Sequence, residues 1–157
     1  MSQRLNYGTA SPDGMKAMLG LQRHVEHCGL EHSLMELVKT RASQINGCAY
    51  CIDMHTKDAR AAGETEQRLY LLNAWRESPF YSDRERAALA WTEALTRIAD
   101  TQAVSDELYT EARKQFSEKE LVDLSYAIIA INAWNRLAIP FRSEPGHYQP
   151  GNHGKRD

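Results

Sequence analysis

The sequence lacks several features that would place it in a large functional class. It has no long basic run, and its net charge is −2. It therefore carries no electrostatic footprint for nucleic acid or for an anionic membrane. No apolar run approaches the roughly 18 residues that a transmembrane helix needs, and the first residues contain no apolar signal core. We therefore expect a cytoplasmic protein that binds neither nucleic acid nor membrane.

The sequence also has few cysteines and no pattern typical of a β-strand. Three cysteines, an odd number without a secretory signal, argue against a disulfide framework and for thiols kept in a reducing cytosol. No alternating apolar–polar run of strand length is present. The helical spacing of apolar residues instead predicts an all-α fold of six to seven helices. A chain of 157 residues with 42% hydrophobic residues is expected to form a single domain, residues 1–157.

Caps and breakers mark the predicted helix boundaries. Pro12 after Ser11 predicts a first helix over about 12–28. Pro140 is expected to stop the last and most apolar helix. The remainder, 142–157, is expected to be an irregular tail that becomes ordered against a partner subunit. Three capping boxes of the Ser-x-x-Glu type predict helix starts, at Ser33, Ser82 and Ser117.

The most informative stretch holds two cysteines and a histidine. Cys48, Cys51 and His55 fall within roughly a 60° arc of a helix, so two sulfurs and an imidazole line one stripe. The break at Asn46-Gly47 predicts that a new helix starts at or beside Cys48. There, unpaired N–H groups and the helix dipole stabilise a thiolate. We therefore predict a reactive site on this stripe.

One short stretch is repeated. Ser33-x-x-Glu-Leu-Val reappears as Ser117-x-x-Glu-Leu-Val, and at this offset Asn132 and Asn135 fall opposite the two cysteines. The match fits two related helical pairs of which only the first kept its thiols.

The spacing of Glu36, Cys48-x-x-Cys51 and His55 resembles that of the alkylhydroperoxidase D-like (AhpD-like) proteins of the carboxymuconolactone decarboxylase superfamily. The resemblance implies an AhpD-like helical bundle that assembles as a dimer, trimer or hexamer. It also implies thiol-dependent reduction of a hydroperoxide in antioxidant defence, without a metal or nucleotide cofactor. The implied reductant is a dithiol carrier protein, for example one bearing a dihydrolipoyl group.

The resemblance assigns roles to four residues. It makes Cys51 the peroxidatic residue, which passes through a sulfenic acid, and Cys48 the resolving residue and proton donor that closes a disulfide with it. His55, one turn beyond Cys51, is the nearest base by spacing. Glu36 is expected to act as a proton relay through Cys48 or a water. Cys48, at the helix start, is expected to be the more exposed thiol.

Other interpretations remain open for the same residues. Glu36 is also the third residue of a capping box, which is a structural role. Cys48, Cys51 and His55 could instead supply three ligands of a zinc ion in an interaction module or redox sensor. The fourth ligand would then come from Cys28 or from a nearby histidine, namely His24, His27 or His32.

Two further enzyme classes are compatible with the resemblance. The protein could be a dithiol–disulfide electron carrier to a peroxiredoxin, which uses the same thiols. It could also be a lyase of the carboxymuconolactone decarboxylase type, which does not need a Cys-x-x-Cys pair.

Overall fold

The computed structural model describes residues 2–151. Within them nine α-helices form, together with a short 3-10 helix at Leu72–Ala74, and no β-strand. No helix in this range is long and apolar enough to span a bilayer. The helices are α1 (Tyr7–Ala10), α2 (Pro12–His27), α3 (His32–Asn46), α4 (Ala49–Ala61), α5 (Glu66–Leu71), α6 (Asp83–Thr96), α7 (Ile98–Thr101), α8 (Asp106–Gln115) and α9 (Glu118–Phe141).

The prediction of an all-α fold is confirmed. Six of the nine helices have ten residues or more. The other three, α1, α5 and α7, have four to six residues. The long helices match the six to seven expected from apolar periodicity, because a helix of one turn carries too few residues to show a period.

Capping boxes fix the starts of α6 and α9. The Ser82 and Ser117 hydroxyls each accept the N–H of the residue three positions on, and the glutamate at that position accepts the serine N–H. Two otherwise unpaired donors are satisfied at each helix start. Both predicted boxes are therefore confirmed.

The third predicted capping box is wrong. Helix α3 begins at His32 after Glu31, and Ser33 lies exposed in its first turn without capping a backbone N–H. The Glu36 side chain is buried, with only 2% of the residue exposed. Its carboxylate instead bonds His55 and Lys39, and the helix already begins one residue before Ser33, so no capping box closes there.

Helix α9 passes through the proline that was expected to stop it. Pro140 lies in the last turn, and the helix ends at Phe141, before Arg142 adopts a left-handed conformation with φ 56. The helix thus continues one residue past the predicted stop, because a proline φ is helical and its cost falls on the turn that precedes it.

Helix α3 is the centre of the packing. It contacts α4, α6 and α9, and each of its residues from 34 to 43 is buried. Leu37 and Val38 supply apolar core, whereas Glu36, Thr40 and Ser43 bring polar side chains into the interior. Buried polar atoms need hydrogen-bond partners, and His55 of α4 and Asn135 of α9 supply them for Glu36 and Ser43.

The described part of the tail packs on α4 of its own chain. The Gly146 N–H donates to Asp53 Oδ2 at 2.9 Å, and the Tyr148 hydroxyl donates to Asp58 Oδ1 at 2.6 Å. The Lys57 ammonium donates to the Tyr148 carbonyl at 3.2 Å. The expectation that a partner subunit orders the tail is therefore wrong for residues 143–151, while 152–157 lie outside the described residues.

We predict that Ser82→Ala and Ser117→Ala each lower the free energy of unfolding by about 1 kcal/mol, the usual effect of losing a serine cap. Ser33→Ala is the matched control and should change it by less than about 0.5 kcal/mol, because this hydroxyl caps nothing. Urea denaturation of the three variants measures the difference. An equal loss in Ser33→Ala would show that α3 starts at the predicted capping box after all.

Candidate functional site

A sharp turn between α3 and α4 assembles the site. Gly47 adopts a left-handed conformation with φ 70, and the next residue, Cys48, donates its N–H to the Ser43 carbonyl at 2.9 Å. Glycine is suited to this position because it has no Cβ to clash there. The turn folds α4 back along α3, as the Asn46-Gly47 break predicted, and brings residues that are distant in sequence onto one internal face.

Both cysteines of the pair are buried at the start of α4. Cys48 is the N-cap residue and Cys51 lies in the first turn, and each is only 1% exposed. The expectation that Cys48 is the more exposed thiol is wrong, because Ile131 and Ala138 of α9 pack into the same cluster as the two sulfurs. A helix start is exposed only when no other element covers it.

The two thiols have opposite pKa shifts. The pKa of Cys48 is lowered to about 7, chiefly because its sulfur accepts a hydrogen bond from the Cys51 thiol. Burial opposes this shift, and the backbone N–H groups of Tyr50 and Cys51 add to it. The pKa of Cys51 is raised, first because it donates that hydrogen bond and then by burial. In the reduced pair the negative charge therefore rests on Cys48.

Asn135 also lies at the site, although the sequence did not identify it as a site residue. It is 1% exposed, and its amide hydrogen-bonds both thiols and lowers the pKa of each. Its position is fixed because Asn46 Nδ2 donates to Asn135 Oδ1 at 2.8 Å, while Asn135 Nδ2 donates to Ser43 Oγ at 3.1 Å. The repeated stretch that places Asn135 opposite a cysteine was the available signal.

Glu36 and His55 form a second buried pair on the same hairpin. His55 Nδ1 lies 2.9 Å from Glu36 Oε2, and Lys39 Nζ donates to Glu36 Oε1 at 2.9 Å. Burial alone would raise the pKa of Glu36, but its hydrogen bonds and the nearby charges of His55 and Lys39 outweigh burial and lower the pKa to about 2. Glu36 is therefore a carboxylate at any physiological pH.

The four predicted site residues thus form two adjacent pairs. Cys48 bonds Cys51, and His55 bonds Glu36. Among residues 2–151 no hydrogen bond joins His55 to either of these thiols, although His55 lies one turn beyond Cys51 on α4. The four residues lie on one hairpin, as their spacing and the Asn46-Gly47 break predict, but spacing does not predict which side chains pair.

The predicted zinc ligands are not brought together. In the described chain the one group of three side chains close enough to share an ion is Glu36, His55 and Asp58, whose ligand atoms lie within 4.8 Å of one another. Neither Cys48 nor Cys51 belongs to it. The ammonium of the adjacent lysine already balances the Glu36 charge, which disfavours a cation there.

The third cysteine lies outside both pairs. Cys28 is half-buried at the end of α2, and its thiol donates to the Val25 carbonyl at 3.1 Å. This local bond gives it the character of a packing residue.

We predict that Glu36→Gln lowers the free energy of unfolding at neutral pH by about 3 kcal/mol, which corresponds to the shift of the Glu36 pKa from 4.5 to about 2. Because the folded-state pKa is the lower one, this stabilisation is complete above about pH 5 and is lost as the pH falls toward about 2. Urea denaturation at a series of pH values should therefore give a flatter profile for the variant.

Glu120→Gln is the matched control for this variant. Glu120 occupies the same place in the repeated stretch, but its side chain is 38% exposed and serves the capping box. Glutamine can also serve that box, so the loss should stay below about 1 kcal/mol. Equal losses in both variants would contradict the distinct role of the buried carboxylate.

Comparisons with known proteins agree on one family. The uncharacterised protein YdfG of Bacillus subtilis (strain 168) is 48% identical over 139 residues, which cover 88% of this chain and 94% of YdfG. The crystal structure of a protein of unknown function from Agrobacterium tumefaciens, described as a candidate antioxidant defence protein AhpD, has 47% sequence identity and a TM-score of 0.89 and covers 94% of this chain and 100% of that one.

A more distant structure has the same fold. It is the alkylhydroperoxidase AhpD core of an uncharacterised peroxidase-related protein from Ralstonia eutropha JMP134, with 17% identity, a TM-score of 0.78, and coverage of 90% of this chain and 75% of that one. The model of the carboxymuconolactone decarboxylase family matches residues 12–94, more than half of the chain, and this range contains the Glu36, Cys48, Cys51 and His55 set. The chain is therefore an AhpD-like member of the carboxymuconolactone decarboxylase family.

Proposed function

We propose that the protein is a thiol-dependent alkyl hydroperoxide reductase that cycles between a Cys48–Cys51 dithiol and a disulfide. The observation that carries the proposal is that Cys48 and Cys51 lie buried together at the start of α4, where Cys51 and nearby donors lower the pKa of Cys48 to about 7. Thiolate rather than thiol attacks a peroxide, and an ordinary cysteine is only a few per cent ionised at neutral pH. The Cys48 thiolate therefore acts as the base that takes the Cys51 proton as Cys51 attacks, and no metal or nucleotide cofactor is needed.

The reaction begins with the Cys51 sulfur. As Cys51 attacks the outer peroxide oxygen, its proton passes to the Cys48 thiolate that already accepts its hydrogen bond. A sulfur–oxygen bond forms, the oxygen–oxygen bond breaks, and the alkoxide takes the proton from Cys48 to leave as an alcohol. Cys51 is then a sulfenic acid, and Cys48 is again a thiolate.

Formation of the disulfide completes the oxidative half of the catalytic cycle. The Cys48 thiolate attacks the Cys51 sulfenic acid, and the displaced hydroxide takes a proton to leave as water. Cys48 and Cys51 are three residues apart, as the N-cap and third residue of α4, and a helix brings such positions within disulfide distance. In this proposal the buried His55–Glu36 pair supplies that proton and recovers it from solvent, with Glu36 keeping the imidazole oriented.

The donor that reduces the Cys48–Cys51 disulfide must be a dithiol narrow enough to reach two buried sulfurs. Cys48 and Cys51 are each 1% exposed, and the half-buried Tyr50 and Trp134 pack against their cluster. A flexible arm such as a dihydrolipoyl group on a carrier protein can reach between these side chains by thiol–disulfide exchange. We propose such a carrier as the electron donor in cytoplasmic antioxidant defence.

We also propose that the protein works as a homo-oligomer, a dimer, trimer or hexamer. Helix α9 exposes three large apolar side chains at helical spacing, Val122, Tyr126 and Ile129. A continuous apolar stripe of this kind is typical of a surface that is covered by another chain.

We predict that one equivalent of an organic hydroperoxide removes two mass units from the wild-type protein, which corresponds to the Cys48–Cys51 disulfide. Cys48→Ser should accumulate a sulfenic acid that a dimedone-type reagent traps on Cys51, because the resolving thiol is gone. Cys51→Ser should give no such adduct. Intact mass spectrometry after trapping measures all three, and Cys28→Ser, whose thiol makes only a local bond, is the matched control.

Two outcomes would change the proposal. An adduct on Cys48 in the Cys51→Ser protein would exchange the roles of the two sulfurs. An unchanged wild-type mass would overturn the peroxidase function, and the electron carrier would fall with it only if a disulfide oxidant also left the mass unchanged. The lyase suggested by the family description would then lead, and it should survive replacement of both cysteines by serine.

The lowered pKa predicts the pH dependence of the reaction. Because the Cys48 thiolate is the base, the rate of thiol loss with hydroperoxide should rise about tenfold per unit below pH 7 and level off above about pH 8. Stopped-flow measurement across this range gives the profile. A midpoint near 8.5, the value of an ordinary thiol, would show that the pair does not activate Cys48.

A further inference from the structure

Thr40 carries a buried hydroxyl that nothing in the described chain satisfies. The residue is completely buried on α3, and its Oγ1 is the one buried side-chain nitrogen or oxygen in residues 2–151 without a hydrogen-bond partner. Thr92 on α6 is equally buried, but its hydroxyl donates to the Ala88 carbonyl at 2.7 Å. A buried hydroxyl without a partner destabilises the fold, so this group calls for an explanation.

The hydroxyl lies on the face of α3 that builds the site. Glu36, Thr40 and Ser43 fall within roughly a 60° arc of the helix. At one end of this face the Ser43 hydroxyl accepts a hydrogen bond from Asn135, which lowers the pKa of both thiols, and at the other end the Glu36 carboxylate bonds His55. Thr40 therefore lies on this face between the end that meets the dithiol site and the end that holds the His55–Glu36 pair.

The register of the hairpin sets Thr40 level with Cys51. Thr40 is three residues from Ser43 and four from Glu36, and Cys51 is three residues from Cys48 and four from His55. Because a hydrogen bond between the two helices pins each end of this antiparallel segment, the equal spacings place the Thr40 and Cys51 positions opposite each other.

We propose that Thr40 is a catalytic residue whose hydroxyl donates a hydrogen bond to the hydroperoxide oxygen that leaves during attack by Cys51. The proposal rests on the proposed peroxidase function and names the group that binds the peroxide there. The hydroxyl keeps its own proton. The thiol proton of Cys51 ends on the alkoxide as described above, while sulfur is oxidised and the peroxide oxygen is reduced.

A neutral donor suits this position. Negative charge develops on the departing oxygen, and a preorganised hydroxyl in a buried site stabilises it strongly. A cationic donor beside the pair would protonate or tie up the Cys48 thiolate, whereas a hydroxyl leaves it free to accept the Cys51 proton. The same bond orients the peroxide, with one oxygen held by Thr40 and the other presented to the Cys51 sulfur.

The test compares three variants, of which the two valine variants keep the buried volume. Thr40→Val removes the hydroxyl and keeps the shape, Thr40→Ser keeps the hydroxyl, and Thr92→Val removes a hydroxyl that has a partner elsewhere in the core. The rate of disulfide formation with an organic hydroperoxide is followed by stopped flow, and the stability by urea denaturation.

We expect Thr40→Val to react about tenfold more slowly, because it loses one hydrogen bond made in the transition state, and to be as stable as the wild type or more stable. Thr40→Ser should keep the wild-type rate. Thr92→Val should keep the rate and lose stability, because it leaves the Ala88 carbonyl without its side-chain donor.

Three results would overturn the assignment of Thr40. A wild-type rate in Thr40→Val, with the wild-type protein itself reactive, removes Thr40 from the reaction and leaves the peroxidase proposal intact. A stability loss in Thr40→Val as large as that in Thr92→Val shows that the hydroxyl has a structural partner. A wild-type protein that does not react with hydroperoxide overturns both proposals.

Discussion

The hydrogen bond between buried Glu36 and His55 constrains the rest of the site. A carboxylate that is 2% exposed must be paired, and it lies on a helix whose central residues are all buried. The partner on α4 can reach it only if the Gly47 turn is tight and the two helices are in one register. That register in turn fixes where both cysteines lie. One polar contact thus sets the geometry of a thiol pair that it does not touch.

The thiol pair shows how a low dielectric interior can still hold a thiolate. Burial by itself raises the pKa of both sulfurs, and the protein counters it at Cys48 with donors from the Cys51 thiol, the start of α4 and Asn135. Asn135 comes from α9, and Asn46 holds its amide in place. The charge is therefore stabilised by neutral dipoles. The nearby ammonium of Lys39 pairs with Glu36 and not with the thiolate.

The sequence predicted the elements well and the site in part. Apolar periodicity, two of three capping boxes and the Asn46-Gly47 break gave the helices, because these signals act locally. Ser33 failed as a cap because tertiary burial of Glu36 outweighed a local pattern that Ser117 satisfies. Spacing also placed four site residues on one hairpin. Burial of Cys48, the contact with Asn135 and the orphaned hydroxyl of Thr40 depend on how α9 and α4 pack, which no local pattern encodes.

The late position of α9 in the chain has a consequence for the protein while it is being synthesised. The α3–α4 hairpin carries every thiol and carboxylate of the site, but the side chains that cover its sulfurs, Ile131 and Ala138, come from α9, at least 80 residues later. The tail segment that packs on α4 comes later still, at Gly146 and Tyr148. A nascent chain therefore carries two solvent-accessible thiols until its last helix docks, and during that interval any oxidant can reach them without the selectivity of the finished protein.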